Sequence, residues 1–218
     1  LMVKLERALY GCVQSARLWY EKLRDTLLGL GFEVNPYDRC TFNKMVDGKQ
    51  LSIAFHVDDL LITSASEAAI DWLVSELERV FKGVSATRGA QHSYLGMTIT
   101  VGPEFYDLDM SGYLDKLLEG RQVKACPCPA NDTLMDDHVD AELLDAEAQK
   151  IFHSDVAKVL YIAKRMRHMV LPATSILAGR VTKATTHDRE QLDRVFGYLL
   201  YSRDLCMRYK CGGRVTLT

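Results

Sequence analysis

An α+β fold is predicted, an antiparallel sheet with helices on one face, and three features predict it. "RCTFNKMV" and "QLSIAFHV" flank Asp47-Gly48, a dipeptide suited to a tight hairpin turn. "EAAIDWLVSELERVF" follows the next strand run and repeats its apolar residues at helical steps. A helix set between strands that pair as hairpins favours a layer of helices on an antiparallel sheet. The last 65 residues read as mostly helical, so a second, helical part is expected.

The elements follow in order. "QSARLWYEKLRDTLLGLGFEV" reads as a helix with Leu18, Leu23, Leu27 and Leu30 on its apolar side. Gly31 is placed to cap its C-terminus. The Asp47-Gly48 hairpin comes next, then "LLITSA" as a third strand. Ser64 and Glu67 have capping-box spacing before the helix that carries Ile70, Leu73, Val74, Leu77 and Phe81 on one face. "SYLGMTITV" and "FYDLDM" read as strands around the turn "GPE", and "SGYLDKLLEG" as a short helix. Residues 125–149 hold Pro127, Pro129 and an acidic run, and read as a linker. "DVAKVLYIAKRMRHMV", "PATSILAGRVTKAT" and "HDREQLDRVFGYLLYS" read as helices, the second opening on Pro172, where a missing N–H costs nothing. "LCMRYK" reads as a last strand.

Composition narrows the class. Of 218 residues, 48% are hydrophobic and 26% charged, the balance of a globular chain of one large or two small domains. No apolar run approaches the roughly 20 residues of a membrane helix, so no membrane partner is expected. The N-terminus lacks the basic, apolar and small-residue layout of a signal peptide and does not begin with Met, so the chain reads as a piece of something longer. Six cysteines do not make a disulfide scaffold. Neither Cys126/Cys128 nor Cys206/Cys211 has C-x-x-C spacing, and free thiols are the expectation over a structural zinc.

Net charge is −2, unevenly spread. Residues 131–149 hold seven acids and no Lys or Arg. Residues 158–218 hold twelve Lys/Arg against four Asp/Glu. An acidic linker and a basic C-terminal part follow, and the latter suits either a polyanion or ordinary solvation.

"SIAFHVDDLLITS" sets Asp58 and Asp59 between two apolar strands. Burying an unpaired carboxylate costs several kcal/mol, so the pair belongs on a turn. Strand neighbours point to opposite faces, but a tight turn breaks that alternation and lets both carboxylates lean one way. Two close carboxylates suit a hard divalent cation, whose charge cancels their repulsion. Such a turn is a sensible base for phosphoryl or nucleotidyl transfer with two metals. An ordinary hairpin turn in water fits the same residues, and the pattern leaves both open. Asp136-Asp137, a second acid pair with no strands around it, reads as solvated charge.

"LERALYGCVQSARLWYEKLRDTLLGLGFEVNPYDRCTFNK", "HVDDLLIT" and "HSYLGMTI" occur in one order. This series resembles the reverse transcriptase of copia-type retrotransposons. That family has a segment with leucine-tyrosine-glycine, lysine-glutamine, proline-arginine and tryptophan-tyrosine. A tyrosine-valine-aspartate-aspartate hairpin and a phenylalanine-leucine-glycine turn follow. "KACPCPAND" and "TTHDREQLDRVFGYLLYSRDLCMRY" resemble the family's stretches toward its RNase H domain.

The resemblance implies a right-hand polymerase palm over 1–124, the acidic linker over 125–149, and a helical thumb or connection region over 150–218. It implies Asp58 and Asp59 as catalytic metal ligands for Mg²⁺ or Mn²⁺, with Asp58 the stronger. Gln14 and Arg17 would lie by the incoming nucleotide, with Trp19 supporting. Tyr94, Leu95 and Gly96 would hold the primer end. His56 stands where the family has tyrosine. An RNA or DNA template–primer, deoxynucleoside triphosphates (dNTP) and the remainder of a polyprotein, fingers upstream and RNase H downstream, are the implied partners. A cytoplasmic particle is the implied setting. The family's remaining catalytic aspartate lies on a strand upstream of the glutamine segment, so a polyprotein fragment inactive alone is expected. A non-catalytic nucleic-acid-binding remnant is the alternative. A nucleotide cyclase would need a phosphate-binding glycine loop, and no G-x-x-x-x-G-K or G-x-G-x-x-G occurs.

Overall fold

A computed structural model describes residues 11–136 and 140–210. It shows a mixed α+β chain with two antiparallel four-stranded sheets and, among the described residues, six α-helices. The chain divides into two compact units at Gly89–Ala90. Among the described residues no helix is long and apolar enough to cross a membrane.

The first unit opens with α1 (Val13–Gly29). Leu23, Leu27 and, in part, Leu30 turn to the core, whereas Leu18 is exposed because it falls off that stripe. Gly31 ends the helix as the spacing predicts, at φ +81°. Its N–H donates to Leu28 O and the Phe32 N–H to Leu27 O, the paired bonds of a Schellman cap. Phe32 and Leu27 are both buried beneath it.

Strands β1 (Glu33–Val34), β2 (Thr41–Val46), β3 (Lys49–His56) and β4 (Asp59–Ser64) form the first sheet in chain order. Asp47 and Gly48, both at positive φ, make the two-residue turn between β2 and β3. α2 (Glu67–Phe81) follows over the predicted residues. Its cap is Ser66 rather than Ser64: the Ser66 hydroxyl accepts from the Ala69 N–H, and Ser64 accepts from the Ser66 N–H.

Period-two alternation gives this sheet two different faces. Phe42, Leu51, Ile53 and Phe55, with Leu60 and Ile62, pack with α1 and α2. The opposite face carries the register partners His56–Asp59, Thr41–Ala54–Leu61 and Asn43–Ser52–Thr63. Ser52 Oγ donates to Asn43 Oδ1 at 2.7 Å, and Gln50 Nε2 reaches both residues. That face is mostly polar or small-chained, with Leu61 and Met45 as its larger apolar residues.

The second unit holds β5 (Gln91–Tyr94), β6 (Met97–Val101), β7 (Phe105–Asp109) and β8 (Met207–Lys210), paired in that order. The sequence reads "SYLGMTITV" as one strand; it is two, broken at Leu95-Gly96. Both residues have positive φ and make a turn of their own. The helices are α3 (Ser111–Leu118), α4 (Ala146–Arg165), α5 (Leu171–Gly179) and α6 (Thr186–Tyr201). α4 begins nine residues before the expected Asp155, because Asp145 caps it by accepting from the Glu147 and Ala148 N–H groups. α6 has the capping box, with Thr185 and Asp188 bonding each other's backbone N–H.

Residues in the acidic stretch take part in this unit's core. Leu134 is buried there and Val123, Ala130 and Leu144 pack against it. Leu144 N–H donates to Ala184 O, and Thr186 N–H to Glu142 O. Ahead of it, the Cys126 N–H donates to Gly197 O, where a Cβ on Gly197 would collide with Lys124 O. The unit boundary at Gly89–Ala90 therefore precedes the 124/125 division suggested by composition. Asp137 of the second acid pair lies outside the described residues.

A buried charge cluster joins α4, α6 and the segment after α3. Asp155 of α4, 2% exposed, accepts from Arg121 through both guanidinium Nη atoms and from Arg189 of α6 at 3.0 Å. Burial pushes its carboxyl up, but the bonds and charges of Arg121 and Arg189 together outweigh it and hold the carboxyl below its ordinary value.

Candidate functional site

Only Asp58 of the expected pair sits on the two-residue turn; Asp59 begins β4 beside it, because the turn starts one residue earlier, at Val57, than the sequence reading places it. His56 pairs with Asp59 in the ladder, leaving Val57 and Asp58 as the loop. Val57 has φ +57° and Asp58 does not share the positive sign. Positive φ at the first central position alone is the pattern of a type II′ turn, which normally has glycine there. A β-branched residue held in that region costs about 1–2 kcal/mol. The surroundings must offset that strain.

Trp19 of α1 supplies one offset. Its indole Nε1–H donates to the Val57 carbonyl at 2.6 Å. The indole packs at 5.0 Å from the Phe81 ring at the end of α2, and Lys22 lies 4.9 Å over that same ring. The turn is thus tied to both helices beneath the sheet.

Asp58 and Asp59 are exposed, and among the described residues neither carboxylate has an ion pair or hydrogen bond. Asp59 leaves the ladder beside His56, on the face away from α1 and α2. Directly opposed residues have Cβ atoms about 4.5–5.5 Å apart, so the His56 imidazole is a close neighbour of Asp59. Two free adjacent carboxylates suit a hard divalent cation such as Mg²⁺ or Mn²⁺. Among the described residues no group of three or more His, Cys, Asp and Glu is placed to hold a metal ion. Cys126 and Cys128 are free thiols, and Cys211 lies outside the described residues.

Among the described residues neither Gln14 nor Arg17 has a hydrogen bond or ion pair to this turn. Gln14 is exposed in the first turn of α1. Arg17 pairs with Glu21 one turn on, at 2.8 Å, with 80% of its side chain exposed. Both lie on the side of α1 away from Leu23 and Leu27. Of the segment's expected residues, it is Trp19 that bonds to the carboxylate hairpin.

In the second unit Tyr94 ends β5, and Leu95 and Gly96 form the turn, with φ +50° and +73°. Tyr161 of α4 donates its hydroxyl to the Leu95 carbonyl at 2.9 Å. A Cβ on Gly96 would lie 3.3 Å from that hydroxyl. Arg165 covers the Tyr161 ring at 3.6 Å, and Tyr113 packs at 5.1 Å. Sequence reasoning did not single out Tyr161. Its one visible signal is an aromatic ring with a polar tip on the helix, and its partner lies 66 residues away.

The family model for reverse transcriptase (RNA-dependent DNA polymerase) matches residues 1–133. The chain belongs to that family, in its copia-type retrotransposon branch. It is 24% identical over 220 residues to a transposon Ty5-1 protein of Saccharomyces cerevisiae, a match covering 99% of this chain and 70% of that protein. It is 31% identical over 126 residues to the retrovirus-related Pol polyprotein from transposon RE1 of Arabidopsis thaliana. That match covers 57% of this chain and 8% of the polyprotein. No solved structure matches the chain significantly.

Proposed function

We propose that this chain supplies the carboxylate hairpin of an RNA-directed DNA polymerase, with Asp58 and Asp59 holding Mg²⁺ or Mn²⁺ for nucleotidyl transfer. One observation carries the reading: two adjacent exposed carboxylates, without partners among the described residues, one on a strained turn and the other opening the next strand, in a chain of the reverse transcriptase family. The bound ions would offset the carboxylates' repulsion and polarise the phosphate of an incoming nucleotide. Asp58 is the stronger ligand in this reading, and His56 offers a planar ring where the family has tyrosine. Gln14 and Arg17 serve the incoming nucleotide, and Tyr94, Leu95 and Gly96 the primer end. Residues 1–124 then act as palm and 150–218 as thumb or connection. Template–primer and dNTP are the substrates in this reading.

The test is primer extension on an RNA template with Mg²⁺ or Mn²⁺. The chain is compared with the same chain joined to whatever precedes Leu1 in its reading frame. Incorporation by the joined form is expected, and Asp58→Ala is expected to lower it on the order of 10³-fold, the several kcal/mol a metal ligand supports. Incorporation that survives Asp58→Ala would remove the pair from the chemistry. A second reading rests on the basic C-terminal part, where Lys158, Lys164, Lys183 and Lys210 are exposed. If neither form incorporates yet both bind a primer–template with steep salt dependence, the non-catalytic binding remnant is the better account.

A further inference from the structure

The carboxylate turn has a conformation its own residues do not favour. Hairpins of this kind take glycine, or asparagine followed by glycine. The neighbouring turn at Asp47-Gly48 has such chemistry and both residues at positive φ. Val57-Asp58 has none, and its strained residue is the β-branched one. Something outside the turn must keep Val57 left-handed, or Asp58 will swing with it.

From this geometry we infer that Trp19 is a positioning residue for Asp58 and Asp59. Its N–H holds the carbonyl of the strained residue itself, the group whose direction changes when Val57 leaves the left-handed region. Its ring is fixed in turn by Phe81, so α1 and α2 set the donor's place. The second unit repeats the arrangement independently. Leu95, also aliphatic and left-handed, has its carbonyl held by the Tyr161 hydroxyl, and that ring is braced by Arg165 and Tyr113. Two turns, in different units, are each pinned at the left-handed aliphatic residue by an aromatic donor from a helix. The inference deepens the metal-binding reading and rests on it for its functional consequence.

The test uses the whole chain and needs no polymerisation. Mn²⁺ is titrated while the Val57 and Asp58 backbone amide signals are followed by NMR, with Asp58→Asn as control. Trp19→Phe keeps the ring on Phe81 and removes the donor. It is expected to weaken Mn²⁺ binding about tenfold, as loss of one hydrogen bond's orienting effect would, with little change in melting temperature. Adding Val57→Gly, which accepts the turn unaided, is expected to restore binding. Without metal, the Val57 amide–Hα coupling, which reports φ, is expected to move in Trp19→Phe.

If the wild type broadens at the hairpin and Trp19→Phe binds equally well, the positioning role is wrong and the metal reading stands. If the wild type shows no broadening there, the metal reading fails, and the coupling alone decides whether Trp19 holds the turn. Should Trp19→Phe not fold, indole N–H exchange in the unmodified chain replaces it. A Trp19 N–H that exchanges as fast as that of Trp72 would overturn the inference.

Discussion

The turns at Val57-Asp58 and Leu95-Gly96 differ in how much their own residues contribute. Gly96 accepts its left-handed backbone without cost and also leaves room for the Tyr161 hydroxyl. Leu95 is the one strained residue there. The carboxylate turn has no glycine, and its strained residue is β-branched. Asp47-Gly48 stands at the other end, with local chemistry that fits and nothing within 4 Å of a Cβ on Gly48. Across these three turns, the less the local residues suit the backbone, the more an outside donor has to supply. The turn that depends most on tertiary support is the one carrying the free carboxylates.

The two units also differ in how they treat acids. Asp58 and Asp59 are exposed and without partners among the described residues, whereas Asp155 is buried between Arg121 and Arg189. The largest expected effect tests that contrast. Asp155→Ala leaves two partly buried guanidiniums without their anion and is expected to cost about 3 kcal/mol. Asp58→Ala is expected to cost nothing measurable. Urea midpoints by circular dichroism compare the two, and equal midpoints would erase the distinction. The pH dependence has a definite sign. The Asp155 carboxyl is lowered in the fold, so its contribution is full above the ordinary value near 4 and is lost as pH falls through the depressed folded value. Asp155→Asn should flatten the loss of stability below about pH 4.

A smaller effect separates the two glycine turns. Gly96→Ala puts a Cβ at positive φ and against the Tyr161 hydroxyl, so about 2 kcal/mol of destabilisation is expected. Gly48→Ala meets no neighbour and should cost about 1 kcal/mol, the backbone penalty alone. Equal costs would mean that Tyr161 does not press on its turn. The smallest effect has the opposite sign. Val57→Gly relieves strain and is expected to stabilise by about 0.5 kcal/mol, after the added freedom of the unfolded chain is counted. A destabilisation would show that Val57 is at ease where it sits.

Elements with a strong local pattern were readable in advance. α2 runs over the predicted residues, because Leu73 and Leu77 recur at helical steps. The Asp47-Gly48 turn and the Gly31 cap were equally legible, since glycine's freedom is a property of the residue. The break at Leu95-Gly96 was missed because Leu95 continues an apolar run and only its backbone marks the turn. The start of α4 was missed because an acidic run resembles a linker: its cap at Asp145 is local but is one acid among many, while its buried Phe152 packs in a core built from residues distant in sequence. Leu18 was misplaced for the converse reason, since an apolar residue can lie off the stripe.

For the candidate site, the sequence by itself determined that adjacent carboxylates stand at a hairpin between apolar strands, though it set the turn one residue late: Asp58 is in the turn and Asp59 already opens β4. It also carried, through the order of its motifs, the family to which the chain belongs. Only the tertiary structure decided which residues hold that turn. Trp19 meets Val57 across 38 positions and Tyr161 meets Leu95 across 66. Neither meeting leaves a periodic trace, because a hydrogen bond from a ring to a distant carbonyl depends on where helix and sheet pack, and that is set by the whole core at once.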